Sequence, residues 1–155
     1  MSNERSQNGW TASKNPADID IKAFPVAGTK IKLRCQGDAG RILSAFAAEF
    51  HEKVEPINEG SLDDWGYAYR NVRGSVDDLS NHSSGTAIDL NSSQHPLGKA
   101  NTFTKEQQAT IRVLIKKYGL RWGGDYTRRK DDMHFEIVHT PAEVKALADK
   151  LGLPK

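Results

Sequence analysis

Residues 133–138 read Met133-His134-Phe135-Glu136-Ile137-Val138 and alternate strictly. Successive side chains of a strand point to opposite sides, so Met133, Phe135 and Ile137 share one face, and His134, Glu136 and Val138 share the other. This is a strand with an apolar face and a face that carries ionisable groups. The same pattern recurs upstream. In Thr86-Ala87-Ile88-Asp89-Leu90-Asn91, the residues Thr86, Ile88 and Leu90 point one way while Ala87 and Asp89 point the other. Thr29 to Cys35 alternates as well, with Ile31, Leu33 and Cys35 inward and a basic outer face. Asp64-Trp65-Gly66-Tyr67-Ala68-Tyr69-Arg70 is aromatic and predicts a strand ending at Arg70. Leu120 to Trp122 predicts a short extended piece before a Gly123-Gly124 turn.

Three helical patterns lie between and after these strands. Ile42, Leu43, Phe46, Phe50 and Val54 recur at three- and four-residue spacing, which predicts a helix capped by Asp38 and running to about Val54. His51 falls near its end, where the helix dipole favours a surface histidine. Thr104 and Gln107 form a capping box for a second helix, whose stripe is Ile111, Leu114, Ile115 and Tyr118 and whose C-terminal cap is Gly119. Thr140-Pro141-Ala142-Glu143 is a second capping box, starting a helix that runs to about Leu151. Residues 74–85 and 92–103 read as loops. Strands and helices do not alternate regularly. The expected fold is therefore α+β, a small, mostly antiparallel sheet with flanking helices. Residues 1–20 are polar and predict an arm, ordered only where Trp10 can dock, ahead of a single domain over 21–155.

Composition narrows the function classes. The chain has 155 residues, 22 Lys plus Arg against 20 Asp plus Glu, and a net charge of +2. That balance argues against a dedicated nucleic-acid binder, and the basic run Thr127-Arg128-Arg129-Lys130 reads as a solvated loop. A mean hydropathy of −0.65 predicts no membrane span. One cysteine, Cys35, excludes an internal disulfide framework and a cysteine-cluster zinc site. Cys35 is expected in the core. The first residues lack an apolar run, so no secretory signal is expected.

The chemistry then falls to His, Asp and Glu. Asp89 and His134 sit on the faces opposite the apolar residues of their strands. An aspartate between Ile88 and Leu90 is costly to bury without a partner, and a cation would supply one. His82 precedes Asp89 by a turn that can bring it back toward the strand. Two histidines and one carboxylate make a zinc set with a fourth position open for water. Asp131 precedes His134 by three residues, where a carboxylate can take a proton from an activated water. Arg70 can polarise a carbonyl or hold an oxyanion. Spacing alone leaves this reading open against a loop histidine, a strand-end aspartate and an unrelated strand histidine.

Three ordered blocks resemble a known family. Ser80-Asn81-His82-Ser83-Ser84-Gly85-Thr86-Ala87-Ile88-Asp89 is similar to the S-x-H-x-x-G-x-A-x-D signature of zinc peptidases that cut peptidoglycan stem peptides. That family includes D-alanyl-D-alanine carboxypeptidases and the L-alanyl-D-glutamate peptidases of phage endolysins, and it shares its fold with the hedgehog signalling domain. Trp122-Gly123-Gly124-Asp125-Tyr126 resembles the W-G-G-D-aromatic block of the endolysins. Asp131-Asp132-Met133-His134-Phe135 resembles their D-x-x-H-F. The similarity covers roughly residues 65–138.

The resemblance implies one zinc ion on His82, Asp89 and His134, with Asp131 as general base. Arg70 matches the arginine of a Tyr-Arg element, with Arg73 as the neighbouring alternative. Asp132 is the rival of Asp131, and the three-residue offset from His134 favours Asp131. Trp122 either walls the substrate groove or fills the core. His95 either contacts substrate or is a solvated loop histidine. Ser80 is a further candidate for substrate contact. Glu136 is placed to orient a ligand histidine. Asp125 and His139 read as structural. The implied substrate is the stem peptide of the bacterial wall. The Asp at 131 and the W-G-G-D block favour the L-Ala–D-Glu bond, and a D-Ala–D-Ala bond is the alternative. The expected setting is a monomeric lysin made in the host cytoplasm without a signal peptide and acting on the wall after release. A cytoplasmic recycling enzyme or a non-catalytic zinc-containing wall-binding module would share these features.

Overall fold

The computed structural model describes residues 4–57, 63–72, 74–127 and 129–154. Its elements are β1 (Glu4–Arg5), β2 (Thr11–Ala12), β3 (Ile21–Pro25), β4 (Lys32–Gln36), α1 (Gly37–Lys53), β5 (Ala87–Asp89), α2 (Lys105–Tyr118), β6 (Leu120–Trp122), β7 (His134–Ile137) and α3 (Pro141–Lys150). Two hairpins, β1–β2 and β3–β4, accompany a three-stranded sheet of order β5-β7-β6, and every pairing is antiparallel. The fold is α+β.

Helix α1 organises the core. Its stripe of Ile42, Leu43, Phe46 and Phe50 is fully buried. The helix packs on the β3–β4 hairpin and on α2 and α3. Phe135 of β7 meets it, with ring centroids 4.7 Å from Phe46 and 5.7 Å from Phe50. Leu33 and Cys35 are buried beneath the hairpin, as the alternation of 29–35 requires. Burial pushes the Cys35 thiol up to about 12, so it stays a protonated apolar group. Both expected capping boxes form, Thr104 with Gln107 and Thr140 with Glu143, and Gly119 ends α2 in the left-handed conformation.

Two expectations are corrected, and one strand is added. The cap of α1 is Gln36, whose side chain accepts from the Asp38 and Ala39 amides; Asp38 lies in the first turn and pairs with Arg41 instead. Residues 64–70 are extended but form no strand. They make a single bridge, Trp65 to Asp89, and otherwise donate to separate carbonyls, Tyr67 N to Arg34 O of β4 and Ala68 N to His82 O. The added strand is β3, which the patterning of the sequence did not identify. Its side chains are only half-buried or exposed, so it shows no apolar alternation, and Pro25 ends it where no inward N–H is needed.

The polar arm is docked. Trp10 is 4% exposed, and its Nε1 donates to the His139 carbonyl at 2.9 Å. Asn8 Nδ2 donates to Thr86 Oγ1 at 2.8 Å and to the Ile137 carbonyl at 3.0 Å. Tyr67 OH donates to the Ser13 carbonyl. The arm therefore lies against the segment leading into β5 and the end of β7, and all four residues of β7 are buried, including those on the ionisable face.

Candidate metal centre

The central pairing is in the sheet. Asp89 of β5 is the direct partner of His134 in β7, which brings the two side chains to one face. His82 reaches them from a short 3-10 turn, Asn81–Ser84. The Ser80 hydroxyl accepts the His82 amide at 3.2 Å and starts this turn, and Gly85 ends it at φ 70°. A side chain at Gly85 would be strained by that angle and would press to 2.6 Å of the Gln36 nitrogen. The glycine thus fixes how His82 folds back onto β5.

The donor atoms converge. His82 Nδ1 donates to the Gly66 carbonyl at 2.8 Å, which leaves the lone pair on Nε2. That Nε2 is buried, makes no hydrogen bond, and lies 3.2 Å from Asp89 Oδ2. His134 Nε2 donates to Glu136 Oε1 at 2.6 Å, which leaves Nδ1 facing Asp89 Oδ1 at 3.1 Å. One ligand atom from each of His82, Asp89 and His134 lies within 4.8 Å of the others.

Two imidazole lone pairs and a carboxylate cannot face one another without a positive charge between them. Burial works against the charge on His134, but Asp89 and Glu136 outweigh it and push its pKa up to about 10. Burial likewise opposes ionisation of Asp89, and His82 and His134 outweigh it, holding this carboxyl far below the usual carboxylate range. The site attracts positive charge, which a proton on His134 or a metal ion can supply, and a nitrogen–nitrogen–oxygen set with both outer ring nitrogens hydrogen-bonded can hold zinc.

Asp131 stands beside this set. It is half-buried, and its Oδ1 has no hydrogen-bond partner. Burial raises its pKa, with Asp89 adding to the rise and His134, His82 and Arg70 opposing it. Its backbone is fixed by Gly123, whose carbonyl accepts the Asp131 amide at 3.0 Å. A Cβ at Gly123 would meet the Asp131 carbonyl oxygen at 2.2 Å, so the glycine block permits this close approach. Arg70 is held through its backbone, which donates to Ser83 Oγ and accepts from the Ser80 amide, both at 3.0 Å. Arg73 lies outside the described residues.

Two clefts meet at the site, and Asp89 and Arg70 line both. The larger, about 770 Å³, includes Asp131, His134, Arg121, Tyr126 and Arg129 in its wall. The smaller, about 460 Å³, includes Arg34, Trp65, Tyr67 and His82.

The remaining candidates are placed elsewhere or committed to other bonds. Asp132 is buried, and its Oδ2 accepts the Thr102 amide at 2.9 Å and hydroxyl at 2.6 Å, pinning the 92–103 loop. Trp122 is 2% exposed, stacks edge-on with Phe103, and donates to the Asp132 carbonyl at 2.8 Å, so it sits in the core. His95 is buried between Glu55 Oε2 at 2.7 Å and Thr102 Oγ1 at 2.6 Å and stacks on Phe103, away from both clefts. Ser80 lines the larger cleft with its hydroxyl engaged by the His82 amide. Asp125 pairs with Arg112 on the surface.

Sequence reading gave no role to Tyr126, Arg121 or Asn8. Tyr126 donates to Glu136 Oε1 at 2.6 Å and so steadies the carboxylate behind His134. Asn8 and Gln7 of the arm line the larger cleft. Tyr126 stood in the W-G-G-D-aromatic block without a role, and Arg121, polar between Leu120 and Trp122, carried a signal in its alternation.

A buried pair of histidines with one carboxylate, an adjacent second carboxylate and an open groove is the arrangement of a metallohydrolase. Comparison with known families agrees: residues 73–137 match a family described as D-alanyl-D-alanine carboxypeptidase. The matched segment contains His82, Asp89, Asp131 and His134 and stops short of Arg70. No curated protein and no solved structure matches the chain.

Proposed function

We propose that the chain is a zinc-dependent peptidoglycan peptidase that hydrolyses the L-Ala–D-Glu bond of stem peptides, as the endolysin of a phage or prophage. The observation that carries this reading is the position of the His82–Asp89–His134 set where two clefts join. A groove open on both sides accepts chain on either side of a scissile bond, as an endopeptidase needs. The family match supports a peptidase with a wall substrate.

Zinc bound there supplies Lewis acidity, activating water and polarising the carbonyl under attack. Asp131 accepts the proton from the attacking water and delivers it to the leaving amine. Its half-buried carboxylate, with Oδ1 free of other hydrogen bonds, is placed to take and give a proton. Arg70 holds the developing oxyanion. Glu136 and Gly66 hold the two imidazoles in the tautomers that leave His134 Nδ1 and His82 Nε2 as donors. The protein would reach the wall from the cytoplasm after the membrane is permeabilised.

The description of the matched family favours a second reading, removal of terminal D-Ala. Digestion of purified walls followed by mass spectrometry of the new termini separates the two. A free D-Glu amino terminus is the expected product. Release of D-Ala alone would overturn the L-Ala–D-Glu assignment. A protein that binds zinc and wall but produces no new terminus would be a binding module.

A further inference from the structure

Arg121 lies in β6 between two buried residues, Leu120 and Trp122, and is itself exposed. It therefore projects from the sheet face opposite the core. Its direct partner across the β6–β7 ladder is Glu136, while His134, two residues along β7, is partnered by Asp89. Arg121 is thus the diagonal neighbour of a metal ligand, on the same face, and it lines the larger cleft. Its guanidinium carbon lies 4.7 Å from the Tyr126 ring centroid, a cation–π contact that holds the charge at the cleft wall.

Among the described residues Arg121 makes no ion pair, in contrast to Arg41 and Arg112, which are paired with Asp38, Asp149 and Asp125. Glu136, the nearest acid by register, is taken up by His134, Tyr126 and Asn81. Arg129 lines the same cleft and also makes no ion pair among the described residues.

We infer that Arg121, with Arg129 in the wall of the same cleft, forms a carboxylate subsite and selects substrates with a free carboxylate on the residue C-terminal to the scissile bond. A planar, always charged fork aimed into a cleft recognises a carboxylate over a carboxamide. This rests on the L-Ala–D-Glu reading: a D-Glu linked onward through its γ-carboxyl keeps its α-carboxylate beside the bond cut. The subsite discriminates against walls in which that group is amidated.

The test compares two synthetic tripeptides, L-Ala-γ-D-Glu-L-Lys and its α-carboxamide, with zinc-loaded protein. The wild type is expected to cleave the carboxylate form with kcat/KM about 10- to 100-fold higher, the span of one charge-assisted hydrogen-bonding contact. Arg121→Gln should remove most of that preference by slowing the carboxylate form alone, with zinc content and melting temperature unchanged. Arg121→Lys should keep part of it. A wild type without preference, or an Arg121→Gln protein slowed equally on both peptides, overturns the subsite. Should Arg121→Gln misfold, Arg121→Lys, which keeps the charge and the aliphatic stem, carries the same comparison: an unchanged preference there, or a wild type lacking one, would overturn the subsite. A wild type that cuts neither tripeptide yet trims D-Ala from wall fragments overturns the underlying reading instead.

Discussion

Glu136 Oε1 lies 2.6 Å from His134 Nε2, two residues away on the same strand and behind the ring as seen from Asp89. The strand repeat thereby delivers a ligand and its orienting carboxylate together. Glu136→Ala should lower zinc affinity about 10- to 100-fold, measured by competition with a chelator, because the ring loses the partner that fixes its tautomer. Unchanged affinity would show that Asp89 alone suffices to orient His134.

Asp131 makes a different prediction. Asp131→Asn keeps the shape but removes the acceptor, so kcat/KM on wall fragments should fall about 100- to 10,000-fold. Zinc content, read by atomic absorption, should stay at one per chain. Loss of the metal would mean that Asp131 is a ligand.

Removing a donor should act on the metal first. His82→Ala takes away one of three protein ligands and the buried bond to Gly66. The purified variant should retain no zinc after dialysis, and the wild type treated with chelator should lose activity and regain it on zinc addition. Full activity after verified metal removal would rule out a metallopeptidase.

The docked arm predicts a stability effect remote from any ligand. Trp10 is nearly fully buried and donates to the His139 carbonyl. Trp10→Ala should cost about 3–5 kcal/mol in denaturant unfolding, as large aromatic deletions in cores do. A loss below about 1 kcal/mol would show that the arm contributes little to the folded state.

Glu49 gives the pH dependence its sign. Burial opposes its ionisation, but Lys117, Lys53 and the Tyr118 hydroxyl outweigh this and lower its pKa from the ordinary 4.5 to about 2. A depressed pKa contributes stability that is present above the unfolded value and lost as pH falls through the folded one. The melting-temperature gap between wild type and Glu49→Gln should therefore be full above about pH 5 and close toward pH 2. A gap that widens on acidification would contradict the assignment.

The sequence made the strands of the centre legible because β5 and β7 pair an apolar face with an ionisable one. His82, Asp89 and His134 were readable as a set only with the motif, since nothing in the spacing itself requires residue 82 to fold back; the turn that does so depends on Gly85. The capping boxes were local and therefore visible. Gln36 was missed as a cap because its side chain lacks the usual short capping chemistry. The 64–70 segment has strand composition, but its aromatics serve loop contacts and the second cleft rather than a ladder. His95 could not be placed from sequence, because its partners Glu55 and Thr102 come from separate segments.

Asn8 clasps Thr86 and Ile137, joining chain positions that emerge far apart in time. The fold nucleus cannot close this contact until the ribosome has delivered β7, and His134 arrives only then. Such non-local closure is slow relative to helix formation. A nascent chain therefore carries no assembled centre, and hydrolytic competence begins only once β7 is made.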